Sequence, residues 1–284
     1  MFEEKLEQVG VLINRHMQVP SGIRAPIKKF LNRGREQKKI LSLYKEKLIN
    51  ESEIARCYGK AIQYLKHKVG KENIGDYFEF GVCRGTSMKC MYDELEKAGL
   101  SDVRLWGFDS FEGLPPCDDG HWKAGSFKSN YQHTKKLLTD HGVDWKRAAL
   151  IKGWYSDTLS EDFAAKHKIK KASLIMVDCD IYSSTKEALD FIGPLIKDHS
   201  VVFFDDWNPL ARDNKGEKRA FDEFLAAHPE FRAEEFDEYS YSGNDLNGKV
   251  FTLHAVFNKI ALSVSGFLYS VFQPFEACAL IPIA

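Results

Sequence analysis

The chain has no surplus of positive charge. Its 40 Lys and Arg face 41 Asp and Glu, a formal net charge of -1 over 284 residues, so nothing in the balance suits phosphate neutralisation and no nucleic-acid partner is expected. It also lacks an apolar run of about twenty residues, the length a spanning helix needs, and no membrane span is expected. The opening MFEEKLEQVG is too acidic and too weakly apolar for a secretory signal. The six cysteines, at 57, 83, 90, 117, 179 and 278, form no CxxC pair. That absence removes a zinc knuckle or dithiol motif and points to a reduced, cytoplasmic protein. The GxGxxG fingerprint of dinucleotide-binding sheets is missing, as are internal repeats and low-complexity segments.

What is present is core material. Hydrophobic residues make up 44% of the chain and charged residues 29%, with 20 Phe and 11 Tyr, the composition of a globular protein. A chain of this length buries roughly three quarters of its unfolded surface, so it needs neither metal nor disulfide to fold. Up to about Gly70 the apolar residues recur at helical spacing (Ile40, Leu41, Tyr44, Leu48; Ile54, Tyr58, Ile62, Leu65), broken by Pro20, Gly22 and Pro26. Residues 1–70 are therefore expected to form a helical lid or oligomer segment. After Gly70 short apolar runs alternate with helical patterns. Strands are expected at Tyr77 to Val82, Val103 to Phe108, Ala148 to Ile151, Ser173 to Val177 and Val201 to Phe204. Helices are expected near Ser87 to Ala98, Gln132 to His141, Ser156 to His167, Ser184 to Ile196 and Ala220 to Ala227. Such alternation means an α/β fold, a parallel sheet with helices on both faces. Phe231 to Tyr241 and Lys249 to Phe257, joined by a turn-rich stretch, close it as an antiparallel hairpin. The expected units are residues 1–70, a ligand-binding domain over 71–257, and an apolar tail over 258–284. The tail suits a dimer element or a cavity cover better than a membrane anchor, because its apolar run from Ile260 to Phe272 is short.

Ligands of open α/β sheets bind beyond the carboxyl ends of the strands. The first such end reads Glu79-Phe-Gly-Val-Cys-Arg-Gly-Thr-Ser87. Gly81 and Gly85 allow a tight turn and close backbone approach, and Thr86 and Ser87 place hydroxyls at a helix N-terminus. The second, Gly107-Phe-Asp-Ser-Phe-Glu-Gly-Leu-Pro115, puts Asp109, with Ser110 beside it, where an acid can accept the two ribose hydroxyls. After the third, Trp154 could stack on an adenine, and Asp157 could contact it or cap the next helix. The fourth and fifth ends, Asp178-Cys-Asp180 and Asp205-Asp206, gather four carboxylates. Four adjacent acids repel one another unless protons or a hard divalent cation compensate, and all-oxygen ligation suits Mg²⁺. The alternative is that Asp180 and Ser184 cap a helix with Glu187, and that Asp205 and Asp206 lie at a solvated edge.

Read in order, EFGVCRGTS, GFDSFEGLP, GWYSDTL, DCDIYSST and FFDDW resemble the motif series of the macrocin O-methyltransferase family, across about Ile74 to Phe257. These are class I, S-adenosylmethionine-dependent, metal-dependent sugar O-methyltransferases of natural-product pathways. The resemblance implies a Rossmann-like, seven-stranded, mostly parallel sheet with a reversed final hairpin and an added N-terminal helical segment. It implies a cofactor site of Glu79, Gly81, Gly85 and Asp109, to which Thr86, Ser87, Ser110, Trp154, Asp157 and Asp178 are joined. It places Mg²⁺ on Asp178, Asp180, Asp205 and Asp206. The chain departs from the family pattern at Cys179, where Gly is usual, and at Ser183, where Glu is usual.

The expected chemistry is direct displacement of the sulfonium methyl by a hydroxyl of a small-molecule acceptor, aligned by the protein and assisted by Mg²⁺. Asp180, His121, His133 and His141 are the candidate general bases, and Trp122 a candidate lid residue. Two other functions compete. A nicotinamide-dependent oxidoreductase would share the sheet but leave the acid cluster without a purpose. A non-catalytic S-adenosylmethionine-binding protein would share the fold. The apolar surface of the first 70 residues and of the tail favours a homo-oligomer.

Overall fold

The computed structural model describes residues 49–116, 122–208, 214–240 and 246–256. Seven strands form one sheet: β1 (Asp76–Phe80), β2 (Leu105–Asp109), β3 (Ala148–Lys152), β4 (Ala172–Val177), β5 (His199–Phe204), β6 (Phe231–Ser240) and β7 (Leu246–Ala255). Their spatial order is β3-β2-β1-β4-β5-β7-β6. The first five run parallel, and β7 is antiparallel to both β5 and β6. The chain thus reverses its winding between β1 and β4, which opens a crevice at their carboxyl ends.

The central strands read as unbroken apolar runs because both faces are covered. Tyr77, Leu174, Met176, Val201 and Phe203 enter one core with helices α1 (Glu51–Val69) and α2 (Thr86–Lys97). The alternate residues Phe78, Phe80, Ile175, Val177, Val202 and Phe204 enter the other, with α6 (Tyr182–Ile192) and α7 (Gly216–Ala227). Helix α3 (Tyr131–His141) starts at Asn130, whose side chain accepts from the His133 N–H, and stops at Gly142 in the left-handed conformation.

Two expectations change. The helix expected over 156–167 is two short ones, α4 (Tyr155–Thr158) and α5 (Asp162–Lys166). Leu159, at φ -87° and ψ 65°, leaves the helical region between them, and it packs with Tyr155 against the second core. A division at residue 70 also fails, because α1 buries Ile54, Cys57, Tyr58, Ala61, Ile62 and Leu65 in the first core. Helix α1 is part of the sheet domain, capped by Asn50. Residues 1–48 and the tail from 257 lie outside the described residues, so the lid and tail expectations concern segments not described. Among the described residues no helix is long and apolar enough to cross a membrane.

Candidate active site

The loop after β1 is built around Gly81. Its φ is 96°, and a Cβ there would come 1.7 Å from the Asp178 carbonyl oxygen. Only glycine lets the loops after β1 and β4 touch. Beyond it α2 begins at Gly85, φ 80°, which lies against Thr134 and Leu138. The Asp109 carboxylate closes this corner: Oδ2 accepts from the Cys83 N–H at 2.6 Å and Oδ1 from the Phe111 N–H at 2.5 Å. Burial pushes its pKa up, and the two N–H groups oppose that shift.

Glu79 sits one layer deeper, fully buried. Ser87 Oγ donates to its Oε1 and the Tyr77 hydroxyl to its Oε2, both at 2.5 Å, and the Tyr58 hydroxyl lies 3.3 Å from that of Tyr77. Burial raises Glu79 to about 7 even though both hydroxyls stabilise the anion.

On the other side of the crevice the ladder runs past the strands, with the Asp178 N–H donating to Phe80 O and the Asp205 N–H to Val177 O. This places Asp178 beside Asp205. One carboxylate oxygen from each of Asp178, Asp205 and Asp206 falls within a group 4.8 Å across. Asp180 lies next to them in the left-handed region, φ 61°, 7% exposed, and hydrogen-bonded to Asp206. Asp205 is 5% exposed and Asp206 9%, so neither lies at a solvated edge. No side chain caps α6, which removes the capping role for Asp180 and Ser184. Burial, then repulsion among these carboxylates, holds Asp178, Asp180 and Asp205 well above the ordinary range, and burial raises Asp206. Buried acids converging at this span fit an oxygen-ligated divalent cation, whose opposite ligands sit about 4 to 5 Å apart.

Both corners open into one cavity of about 350 Å³, large enough for a nucleoside-sized ligand. Gly81, Thr86, Ser87, Asp109, Ser110, Trp154, Asp178, Asp180, Asp205 and Asp206 line it. Several proposed site residues do not. Glu79 is screened behind Ser87, and Gly85 serves the packing of α2 on α3. Asp157 is exposed in α4, off the wall, because the turn at Gly153 presents Trp154, Tyr155 and Ser156 instead. His133 lies in the first turn of α3 and not on the wall. His141 is at the far end of α3, its Nε2 2.7 Å from Asp93 Oδ1. Neither histidine is on the cavity wall, and His121 lies outside the described residues.

The structure adds Arg84 and Phe127, which the sequence reading gave no role, and puts Glu187 on the wall where a helix-capping role was the alternative. Trp122, the candidate lid residue, is also on the wall, its ring edge to face with that of Phe127 at 5.0 Å. Glu187 follows Ser184 by three residues, so the two share a helix face. Behind the carboxylates the Tyr239 hydroxyl donates to Asp205 Oδ1 at 2.8 Å, and Glu217 Oε2 accepts the Asp206 N–H at 3.0 Å. Neither had a sequence signal, since a tyrosine in a strand and a glutamate opening a helix are ordinary.

A sheet in this order, with its last strand reversed and its cavity over the β1/β4 crevice, is the fold of class I methyltransferases. The Macrocin-O-methyltransferase (TylF) family model matches residues 58–230, more than half of the chain, and the chain belongs to that family. It is 27% identical over 157 residues to an 8-demethyl-8-(2,3-dimethoxy-alpha-L-rhamnosyl)-tetracenomycin-C 4'-O-methyltransferase of Streptomyces olivaceus, covering 51% of this chain and 58% of that one. It is 25% identical over 170 residues to the demethyldecarbamoylnovobiocin O-methyltransferase of Streptomyces niveus, covering 56% and 63%. Both matches span less than two thirds of the relative. Among solved structures the O-methyltransferase NovP shares the fold at TM-score 0.55 and 19% identity, over 69% of this chain and 78% of that one. The calicheamicin methyltransferase CalS11 does so at TM-score 0.52 and 19% identity, over 87% and 91%.

Proposed function

We propose that this protein is an S-adenosylmethionine-dependent O-methyltransferase that methylates a hydroxyl of a small natural-product intermediate, most plainly a sugar, with a divalent cation such as Mg²⁺ at the acid cluster. The observation that carries this is the sharing of one cavity by Asp109, at the end of β2, and by the trio Asp178, Asp205 and Asp206. The names of the relatives, which cite a rhamnosyl-tetracenomycin-C and a demethyldecarbamoylnovobiocin, support the acceptor class. When bound, S-adenosylmethionine supplies an electrophilic methyl group, and a cation held by Asp178, Asp205 and Asp206 supplies Lewis acidity toward the acceptor oxygen.

The chain's own residues bind, orient and take a proton. Asp109 spends one lone-pair direction of each oxygen on a backbone N–H and keeps another on each for a ribose hydroxyl. Ser87, fixed by Glu79, and Thr86 offer hydroxyls at the start of α2, where N–H groups favour a carboxylate. Trp154, 39% exposed at the cavity, offers a face for a base, and Trp122 with Phe127 can shield the chamber from water. Asp180 is the proposed general base for the acceptor hydroxyl, because among the wall carboxylates outside the trio it is the one hydrogen-bonded to Asp206. In this proposal residues 1–48 and the tail cover the acceptor or join copies of the chain, and the enzyme is cytoplasmic.

The test is calorimetric titration with S-adenosylhomocysteine and with NAD, followed by a methyl-transfer assay on sugar-bearing acceptors with and without chelator. Binding of S-adenosylhomocysteine but not NAD, with transfer that stops on chelation, is the expected result. NAD binding without S-adenosylhomocysteine binding would defeat the proposal, and full transfer in excess chelator would defeat its cation component.

A further inference from the structure

We propose that Tyr239 is a positioning residue for the cation site, fixing Asp205 so that this carboxylate meets a divalent cation through one oxygen. The inference rests on the cation assignment above and concerns a residue outside the cavity wall. Tyr239 belongs to β6, the edge strand, which is separated from β5 by β7. Strands lie about 4.8 Å apart, so β6 is roughly 10 Å from the strand that ends at Asp205. An ordinary residue on β7 would stand in the way. The residue of β7 opposite Tyr239 is Gly248, and a Cβ there would lie 2.2 Å from the tyrosine ring carbon Cζ. The missing side chain is what lets the ring cross β7 and reach the β5 end.

The ring arrives with no latitude. Tyr239 is fully buried, and its hydroxyl has Asp205 Oδ1 at 2.8 Å and Met176 Sδ at 4.0 Å. A buried phenol turned away from the carboxylate would exchange a charge-assisted hydrogen bond for a sulfur contact, so the hydroxyl stays on Asp205. With Oδ1 engaged, the carboxylate would present its other oxygen to a cation. The backbone of the neighbouring residue is held by a separate element, since Glu217 in the first turn of α7 accepts the Asp206 N–H. Consecutive ligands are thus set from two elements that follow β5 in the chain. The reversed hairpin, set apart from the β1/β2 corner, gains a specific task in the chemistry. Partners that orient metal ligands in this way typically change metal affinity 10- to 100-fold when removed.

The experiment uses the full chain and Mn²⁺ as probe. Wild type and Tyr239→Phe are titrated with Mn²⁺ by calorimetry and by electron paramagnetic resonance, with S-adenosylhomocysteine affinity and melting temperature measured in parallel. Tyr239→Phe keeps the ring and its packing. It is expected to weaken Mn²⁺ about 10- to 100-fold and to alter the Mn²⁺ spectrum, while S-adenosylhomocysteine affinity stays within about twofold. Gly248→Ala, which displaces the ring, is expected to reproduce the Mn²⁺ loss. Unchanged Mn²⁺ affinity in Tyr239→Phe overturns the proposal. So does a parallel fall in affinity for both ligands, which would mark a general structural role. Absence of Mn²⁺ binding by the wild type overturns the cation assignment itself, and does so before any variant is compared.

Discussion

Where Asp109 ends β2, both of its oxygens meet backbone N–H groups; where Asp205 ends β5, its carboxylate shares a corner with Asp178 and Asp206. The two sides of one cavity treat negative charge differently. On the β1/β2 side each acid has donors of its own, backbone N–H groups from the turns for Asp109 and two hydroxyls for Glu79 behind it, so this corner is complete in the folded chain. On the β4/β5 side carboxylates are buried together and push one another's pKa upward. That side is complete only with protons or a cation. Backbone therefore builds the part that recognises a shape, and side chains build the part that needs a counter-charge.

The sharpest way to break the comparison is Asp205→Asn, which nearly preserves shape while removing a ligand charge. Methyl transfer is expected to fall by about 100-fold or more, whereas calorimetric affinity for S-adenosylhomocysteine should stay within about twofold. The cation-free variant should melt no lower than the cation-free wild type, because a repulsive charge has gone. A strong fall in its melting temperature would show that Asp205 is instead a stabilising structural acid.

Next in size is the mirror experiment on the other side. Asp109→Ala should weaken S-adenosylhomocysteine by about 1–3 kcal/mol, a factor of about 5 to 150, with Mn²⁺ affinity unchanged. Loss of both affinities together would mean that the two corners are not separable.

Glu79 gives a pH test of the first side. Its folded pKa is raised to about 7, above its unfolded value. The folded state therefore binds the extra proton, and the stability this confers is full below the unfolded value, near 4.5. It is lost as pH climbs through about 7. Thermal melts from about pH 5 to pH 8 should show wild type losing ground to Glu79→Gln, which has no proton to release. Parallel curves would remove the assignment. The smallest effect is expected from Trp154→Ala, a loss of about two- to tenfold in S-adenosylhomocysteine affinity, since an exposed ring contributes about 0.5–1.5 kcal/mol. No change would place the adenine elsewhere.

Much of this contrast was legible in the sequence. Strands covered on both faces announce themselves as runs such as Ser173 to Val177, and ligands of such sheets gather at strand ends, so Asp109, Asp178, Asp205 and Asp206 could be named from position alone. Three kinds of feature were not legible. Glu79 has the motif position of a cofactor residue, yet strand alternation turns it with Tyr77 toward the α2 face, where it meets Ser87. The α4/α5 break depends on where Leu159 packs, which is a tertiary choice. Glu217 and Tyr239 act across the sheet from distant segments, and no local spacing records that they will meet Asp206 and Asp205.

The contact of Gly81 with the Asp178 carbonyl bears on how this scaffold can be re-engineered. It is a seam at which two loops must be cut as a matched pair. A graft that imports a new β4 loop from a relative inherits a demand for glycine at position 81, because any side chain there strikes the graft's backbone at the Asp178 position. Grafts confined to the stretch from Trp122 to Phe127, by contrast, touch the cavity without crossing that seam. Exchanging acceptors by loop transfer should begin there.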